Sequence, residues 1–238
     1  MNQKLDVARV FERIFEIYKG QFTLLIPAAL VVFVPVALIS GLIYAGDVGI
    51  IGGLIVAAIA TIATYWFQGM VVEAARDILD GRRDHTIGSL VQSVTPVIGP
   101  LIVAGILAGI GIGIGLLLLI VPGLFLLTIW AVIAPVIVIE RRGAIDSFGR
   151  SRELVRGNGW SVFGILIITY LLTSVISGVI RAIFTPLPDY LGSYIGDVIG
   201  GSIVAPFSAL AITLLYFRLS GTETQTPLAD PPAPALPS

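Results

Sequence analysis

The chain has 238 residues, of which 56% are hydrophobic and 12% charged, with a formal net charge of -1. Soluble domains carry about 25% charged residues, so half that level, with a mean hydropathy of +1.00, places most of this chain in a bilayer. Cysteine is absent and His85 is the single histidine, which excludes disulfides, thiolate chemistry and a His-cluster metal site within one chain. Spans of about 20 residues each leave no room for a large soluble domain as well.

Residues 1–20 form an N-terminal segment whose stretch LDVARVFERIFEIYK predicts an amphipathic helix. Val7, Val10, Phe11, Ile14, Phe15, Ile17 and Tyr18 fall in one arc, with Arg9, Glu12, Arg13, Glu16 and Lys19 opposite. Such a helix either lies in the headgroup region, apolar face down, or packs on the ends of the spans that follow. The membrane domain occupies 21–219. Its first span, 21–44, contains Pro27 and Pro35, kinks that neighbouring helices tolerate. The apolar run is too long for the core of a secretory signal, and acids precede it. A turn at Ala45-Gly46-Asp47 leads to the second span, 48–70, with Tyr65 and Trp66 near its end, where aromatic belts form. The same helix is expected to continue into water through VVEAARDILD, and His85 reads as a solvated turn residue.

Thr86 is a good N-cap for a second amphipathic helix, 87–95, with Ile87, Leu90, Val91 and Val94 on one side. The third span, 98–120, carries Gly105, Gly109 and Gly113 four apart, and again Gly111 and Gly115. Small residues at that spacing let helix backbones approach closely. No G-x-G-x-x-G follows a strand, so these are read as packing residues and not as a nucleotide loop. Val121-Pro122-Gly123 is the expected turn into the fourth span, 124–140, which should break at Pro135. Residues 144–156 form a third amphipathic stretch, with Ala144, Ile145, Phe148 and Val155 on one side and a stop at Gly157. Trp160 opens the fifth span, 160–184. The sixth, 193–219, is introduced by Gly192, Gly196 and Gly200 and bends near Pro206. The proline-rich stretch 220–238 predicts a disordered cytoplasmic tail.

Charge sorts this pattern into two sides. Lys4, Arg9, Arg13 and Lys19 precede span one, and Arg76, Arg82 and Arg83 lie between spans two and three. Arg141, Arg142, Arg150, Arg152 and Arg156 lie between spans four and five, and Arg218 follows span six. Arg181 alone falls on the other side. The positive-inside rule then places both termini in the cytoplasm.

No charged residue sits near the middle of a span, whereas ion-coupled transporters carry titratable groups there. Glu140 is expected to pair locally with Arg141 and Arg142, and Arg181 with Asp197 near Asp189. Thr61, Thr64, Gln68, Thr128, Thr169, Thr173, Ser174 and Ser177 either bond helices and backbone or line a narrow polar cavity. Neither G-x-S-x-G, H-E-x-x-H nor a Walker motif occurs, so no enzyme, metal or cofactor is expected. Arg141, Arg142, Arg150, Arg152, Arg156 and Trp160 are the candidate site for a lipid headgroup or partner protein. At roughly 1 kcal/mol per basic residue near an anionic leaflet, they suffice to hold the loop on the surface; charge that only sets topology explains them equally.

Leu5-Asp6-Val7-Ala8-Arg9-Val10-Phe11, Val121-Pro122-Gly123, Trp130…Ala134-Pro135…Glu140 and Ser147…Arg150-Ser151…Leu154…Arg156-Gly157…Trp160 resemble the glycerophosphoryl diester phosphodiesterase membrane domain. The same pattern is similar to the YciC-like group of bacterial inner-membrane proteins. The resemblance covers most of residues 5–219 and implies a bacterial plasma-membrane protein with a multi-span helical domain. In that family the activity belongs to an accompanying soluble barrel, which does not fit here, so it does not carry over.

The resulting expectation is an all-α polytopic membrane protein, six transmembrane helices in three hairpins, each preceded by an amphipathic interfacial helix. Its expected role is non-enzymatic: it engages the bilayer, an anionic phospholipid, a protein partner or a second copy, and no nucleic acid. The alternative is a transporter or permease subunit for a small or lipidic solute. In intact cells, Ser238→Cys is expected to resist an impermeant thiol reagent added outside, and Asp189→Cys to react. The reverse labelling pattern would invert the topology.

Overall fold

The computed structural model describes residues 7–45, 49–79, 86–186 and 189–221, without the side chains of 44–45 and 189–194. The proline-rich tail, Lys4, Arg82, Arg83 and His85 lie outside the described residues. So do Gly46, Asp47 and the surroundings of Gly192. Every described element is helical: α1 (Val7–Gly20), α2 (Phe22–Ala45), α3 (Gly49–Leu79), α4 (Ile87–Val94), α5 (Ile98–Leu118), α6 (Ile120–Ile129), α7 (Ile133–Glu140), α8 (Ala144–Val155), α9 (Gly159–Phe184) and α10 (Asp189–Leu219). Six stretches are long and apolar enough to cross a membrane, at Phe22–Ile43, Gly49–Leu79, Ile87–Leu118, Ile120–Glu140, Gly159–Phe184 and Ile195–Leu219. The protein is an all-α, multi-pass membrane protein. α1, α4 and α8 each precede one hairpin.

Burial is concentrated at the charged end of these hairpins, the base. Val10, Ile14 and Ile17 of α1, Leu25 and Ala29 of α2, and Phe67 with residues 70–75 of α3 are buried there. Leu90 and Val94 of α4, residues 132–138, Leu154 and Val155 of α8, and Leu210 with residues 214–217 of α10 complete the same core. Beyond the base the spans are exposed and apolar, as at Leu42, Ile50, Ile51, Leu117, Val175 and Ile183. Lipid chains solvate these residues, so they need no protein partner.

The three amphipathic helices close around the base. α1 packs on the span ends: the Phe207 ring lies 6.4, 5.2 and 6.1 Å from those of Phe11, Phe15 and Tyr18. The Tyr18 hydroxyl donates to the Ile203 carbonyl at 2.9 Å, beside Pro206, and burial raises the Tyr18 pKa. The extension of α3 expected to lie in water emerges only from Arg76 onward. Residues 67–75 are buried on every side, because α4, α7 and α10 pack around them. Thr86 caps α4 as expected, its hydroxyl accepting from the Ser89 amide.

Two connections differ from expectation. Val121-Pro122-Gly123 is the first turn of α6 and not a loop; the reversal occurs at the single extended residue Leu119 (φ -159°, ψ 139°). Proline is free there, since the first-turn amides of a helix have no intrahelical acceptor. So abrupt a turn presses α5 against α6, and a Cβ on Gly115 would lie 2.9 Å from Gly123 Cα. One on Gly123 would lie 2.6 Å from the Leu116 amide nitrogen. The fourth span is interrupted at residues 130–132, not at Pro135 itself. Proline has no amide for the carbonyl four residues back and its ring collides with that turn, so the helix opens on its N-terminal side.

Glycine packing also divides differently from the predicted series. Gly105 meets the Tyr65 ring, Gly111 the Trp130 ring, and Gly196 and Gly200 the backbone of α9 at Arg181 and Ser177. Gly109 and Gly113 have nothing within 4 Å, so they do not serve packing within the chain. Gly123→Ala is expected to destabilise the protein by about 1–3 kcal/mol, and Gly109→Ala by less than about 0.5 kcal/mol. Thermal unfolding in detergent compares them.

Candidate functional site

α7 is buried along its length, and its last residue, Glu140, emerges at the rim of the base. Its carboxylate accepts from Arg142 Nε at 2.7 Å, from Arg150 Nε at 3.0 and 3.1 Å, and from the Tyr216 hydroxyl at 3.2 Å. One side chain therefore joins α7, α8 and α10. Arg150 also reaches Glu153 at 3.4 Å. The hydrogen bond to Glu140 outweighs partial burial and raises the Arg150 pKa further, so this guanidinium stays charged.

Arg141 follows in the left-handed region (φ 53°, ψ 35°), a conformation that costs a non-glycine residue about 1–2 kcal/mol. Its side chain explains why arginine is there. Nη2 donates to Glu73 Oε1 at 3.2 Å, and Nη1 to the Ser93 carbonyl at 3.4 Å. Glu73 is 7% exposed, and a carboxylate so buried needs a cation beside it. Arg141 thus holds the ends of α3, α4 and α7 together.

α8 presents two faces. Ser147, Ser151, Leu154 and Val155 are buried, and Ser147 donates to the Ala144 carbonyl at 2.5 Å. Ser151 is set against the interruption of span four: it donates to the Ile129 carbonyl at 2.9 Å and accepts from the Val132 amide at 3.3 Å. Phe148 lies edge-on to Trp130, ring centroids 4.9 Å apart. The other face is a stripe of Ile145, Gly149, Arg152 and Arg156, spaced four, three and four residues apart, as one helix face requires. Ile145, expected on the core side, is 69% exposed. Two buried serines displace it because they supply hydrogen bonds that isoleucine cannot. Trp160 follows at 87% exposed.

The five arginines of the candidate site therefore do not act together. Arg141, Arg142 and Arg150 are engaged in ion pairs within the chain. Arg152 and Arg156 are exposed, and their side chains bond no other described residue. Sequence reasoning anticipated local pairing at Glu140 but missed Glu73, Tyr216 and Ser151. Glu73 was detectable as an acid set directly within the apolar run Met70-Val71-Val72 and Ala74-Ala75. At the opposite end Arg181 pairs with Asp197, as expected. Thr61, Thr64, Thr128 and Thr173 donate to carbonyls of their own helices. Among the described residues, no group of three or more Asp, Glu, His or Cys side chains is placed to hold a metal ion.

A family model described as a domain of unknown function, DUF7847, matches residues 17–219. The chain belongs to that family. The DUF7847 match starts within α1 and ends at the last residue of α10, so the family unit includes all six spans, α4 and α8. No curated protein matches the chain, and no solved structure does.

Arg141→Ala is expected to lower stability by about 1–3 kcal/mol, because it strands the Glu73 carboxylate. Arg141→Ala with Glu73→Gln should recover much of the loss, since no buried charge is left uncompensated. Denaturant midpoints of the two variants test this; equal midpoints would remove the pairing argument.

Proposed function

We propose that this protein is a non-enzymatic membrane domain that engages anionic phospholipid headgroups through the outer stripe of α8. In this reading the base and both termini face the cytoplasm of a bacterial cell, with the basic residues held against the inner leaflet. The observation that carries it is the pair Arg152 and Arg156, unpaired among the described residues, on one exposed helix face with Ile145 and followed by the exposed Trp160. Cations without internal partners are available to phosphates, and tryptophan favours the headgroup level.

The height of the apolar surface supports the same placement. On α9 the exposed aliphatic side chains run from Ile168 to Ile183, about 22 Å at about 1.5 Å per residue. A hydrocarbon layer of about 30 Å then reaches into the base, which brings α1, α4 and α8 to the interface. The resemblance to the phosphodiesterase membrane domain agrees with a bacterial plasma-membrane setting. A protein partner or second copy on the same stripe is the competing occupant.

A transporter or permease subunit is the second reading. It draws on Thr169 Oγ1, Ser202 Oγ and Trp66 Nε1, which are buried without hydrogen-bond partners among the described residues. Against it, the hydroxyls of Thr128 and Thr173 are taken up by their own helices.

Full-length protein in nanodiscs of mixed neutral and anionic lipid separates these readings. Arg152→Gln with Arg156→Gln is expected to lower the retention of anionic lipid, read by native mass spectrometry. The loss is roughly ten- to thirty-fold in affinity, from about 1 kcal/mol per arginine. Unchanged retention would remove the lipid reading.

A further inference from the structure

α8 does a second thing, on the face opposite its arginines, and this rests on Ser151 and Pro135 independently of what the outer stripe touches. In an unbroken helix the Val132 amide would donate to the Thr128 carbonyl and the Ile133 amide to the Ile129 carbonyl. Here the Thr128 carbonyl accepts from Ala131 at 3.4 Å and the Trp130 carbonyl from Ile133 at 3.4 Å. The two groups thereby displaced, the Val132 amide and the Ile129 carbonyl, are the ones that the Ser151 hydroxyl bonds. Within a membrane span no water replaces such a partner, and an unpaired backbone group costs several kcal/mol.

The interruption and the docking of α8 are therefore two descriptions of one state. If α8 leaves, the Val132 amide and Ile129 carbonyl regain partners only by closing residues 130–132 into continuous helix, kinked at Pro135. If the span closes, Ser151 loses both partners there and can bond only a carbonyl of its own helix. A second attachment holds the same strap, from Arg150 to Glu140 at the far end of α7.

We propose that α8 is a latch on span four: Ser151 holds the span in its broken form, and release of α8 switches it to a continuous, proline-kinked helix. Engagement of α8 at the surface is then transmitted to the orientation of α6 relative to α7.

The chain has no cysteine, so Val121→Cys and Ile145→Cys, both at exposed positions, define one spin-label pair between α6 and α8. Double electron–electron resonance on the full-length protein in lipid should give one dominant distance. Ser151→Ala is expected to raise the ratio of a second distance roughly thirtyfold, the factor carried by its two hydrogen bonds at about 1 kcal/mol each. Pro135→Ala, which keeps Ser151 but restores a donor for the Ala131 carbonyl, should populate the same second distance. A Ser151→Ala distribution that superposes on the parent would overturn the latch, and so would a Pro135→Ala distribution unchanged from it. Lipid retention through Arg152 and Arg156 is a separate readout, so either idea can fail alone.

Discussion

Because lipid chains solvate leucine, isoleucine and valine as well as protein does, apolar side chains along the outward part of these spans gain little by meeting one another. The molecule gains from burial where a protein layer replaces both lipid and water. That layer is the base, where α1, α4 and α8 wrap the span ends and where residues such as Val72, Leu90, Val136 and Leu214 are fully buried. Outside it, helices meet where glycine allows backbone contact, as at Gly115 and Gly123, or through the Arg181–Asp197 pair.

The same layer dictates how charge is handled. Glu73 and Glu140 sit at its edge, where a carboxylate loses hydration, and each is supplied with arginine from the α7–α8 segment. Most of the basic residues that looked like one surface cluster are thus consumed in holding helix ends together. What remains exposed without an internal side-chain partner is a narrower feature, Arg152 and Arg156, followed in sequence by the exposed Trp160.

α8 lies at the junction of these two roles. Its buried face is polar where an ordinary amphipathic helix is apolar, because it meets an interrupted span whose backbone needs donors and acceptors. Ser151 therefore points inward, Ser147 is buried beside it with its hydroxyl on the Ala144 carbonyl of its own helix, and Ile145 faces outward. The helix thus carries exposed arginines on one face and, on the other, a serine bonded to the backbone of span four.

Much of the fold was legible from residue order alone. Six spans, three hairpins, three preceding amphipathic helices and the Arg181–Asp197 pair follow from hydropathy, helical period and charge sign, which are local properties that a bilayer enforces. The tertiary structure decided the rest. It chose Gly105, Gly111, Gly115 and Gly123 over Gly109 and Gly113, buried α3 as far as Ala75, moved the break in span four to residues 130–132, and turned Ser151 inward. Each depends on what lies opposite a residue: a glycine matters only where a backbone approaches, and a serine is buried only where an unpaired amide waits. One-dimensional pattern contains the period of a helix but not the neighbour on its other side.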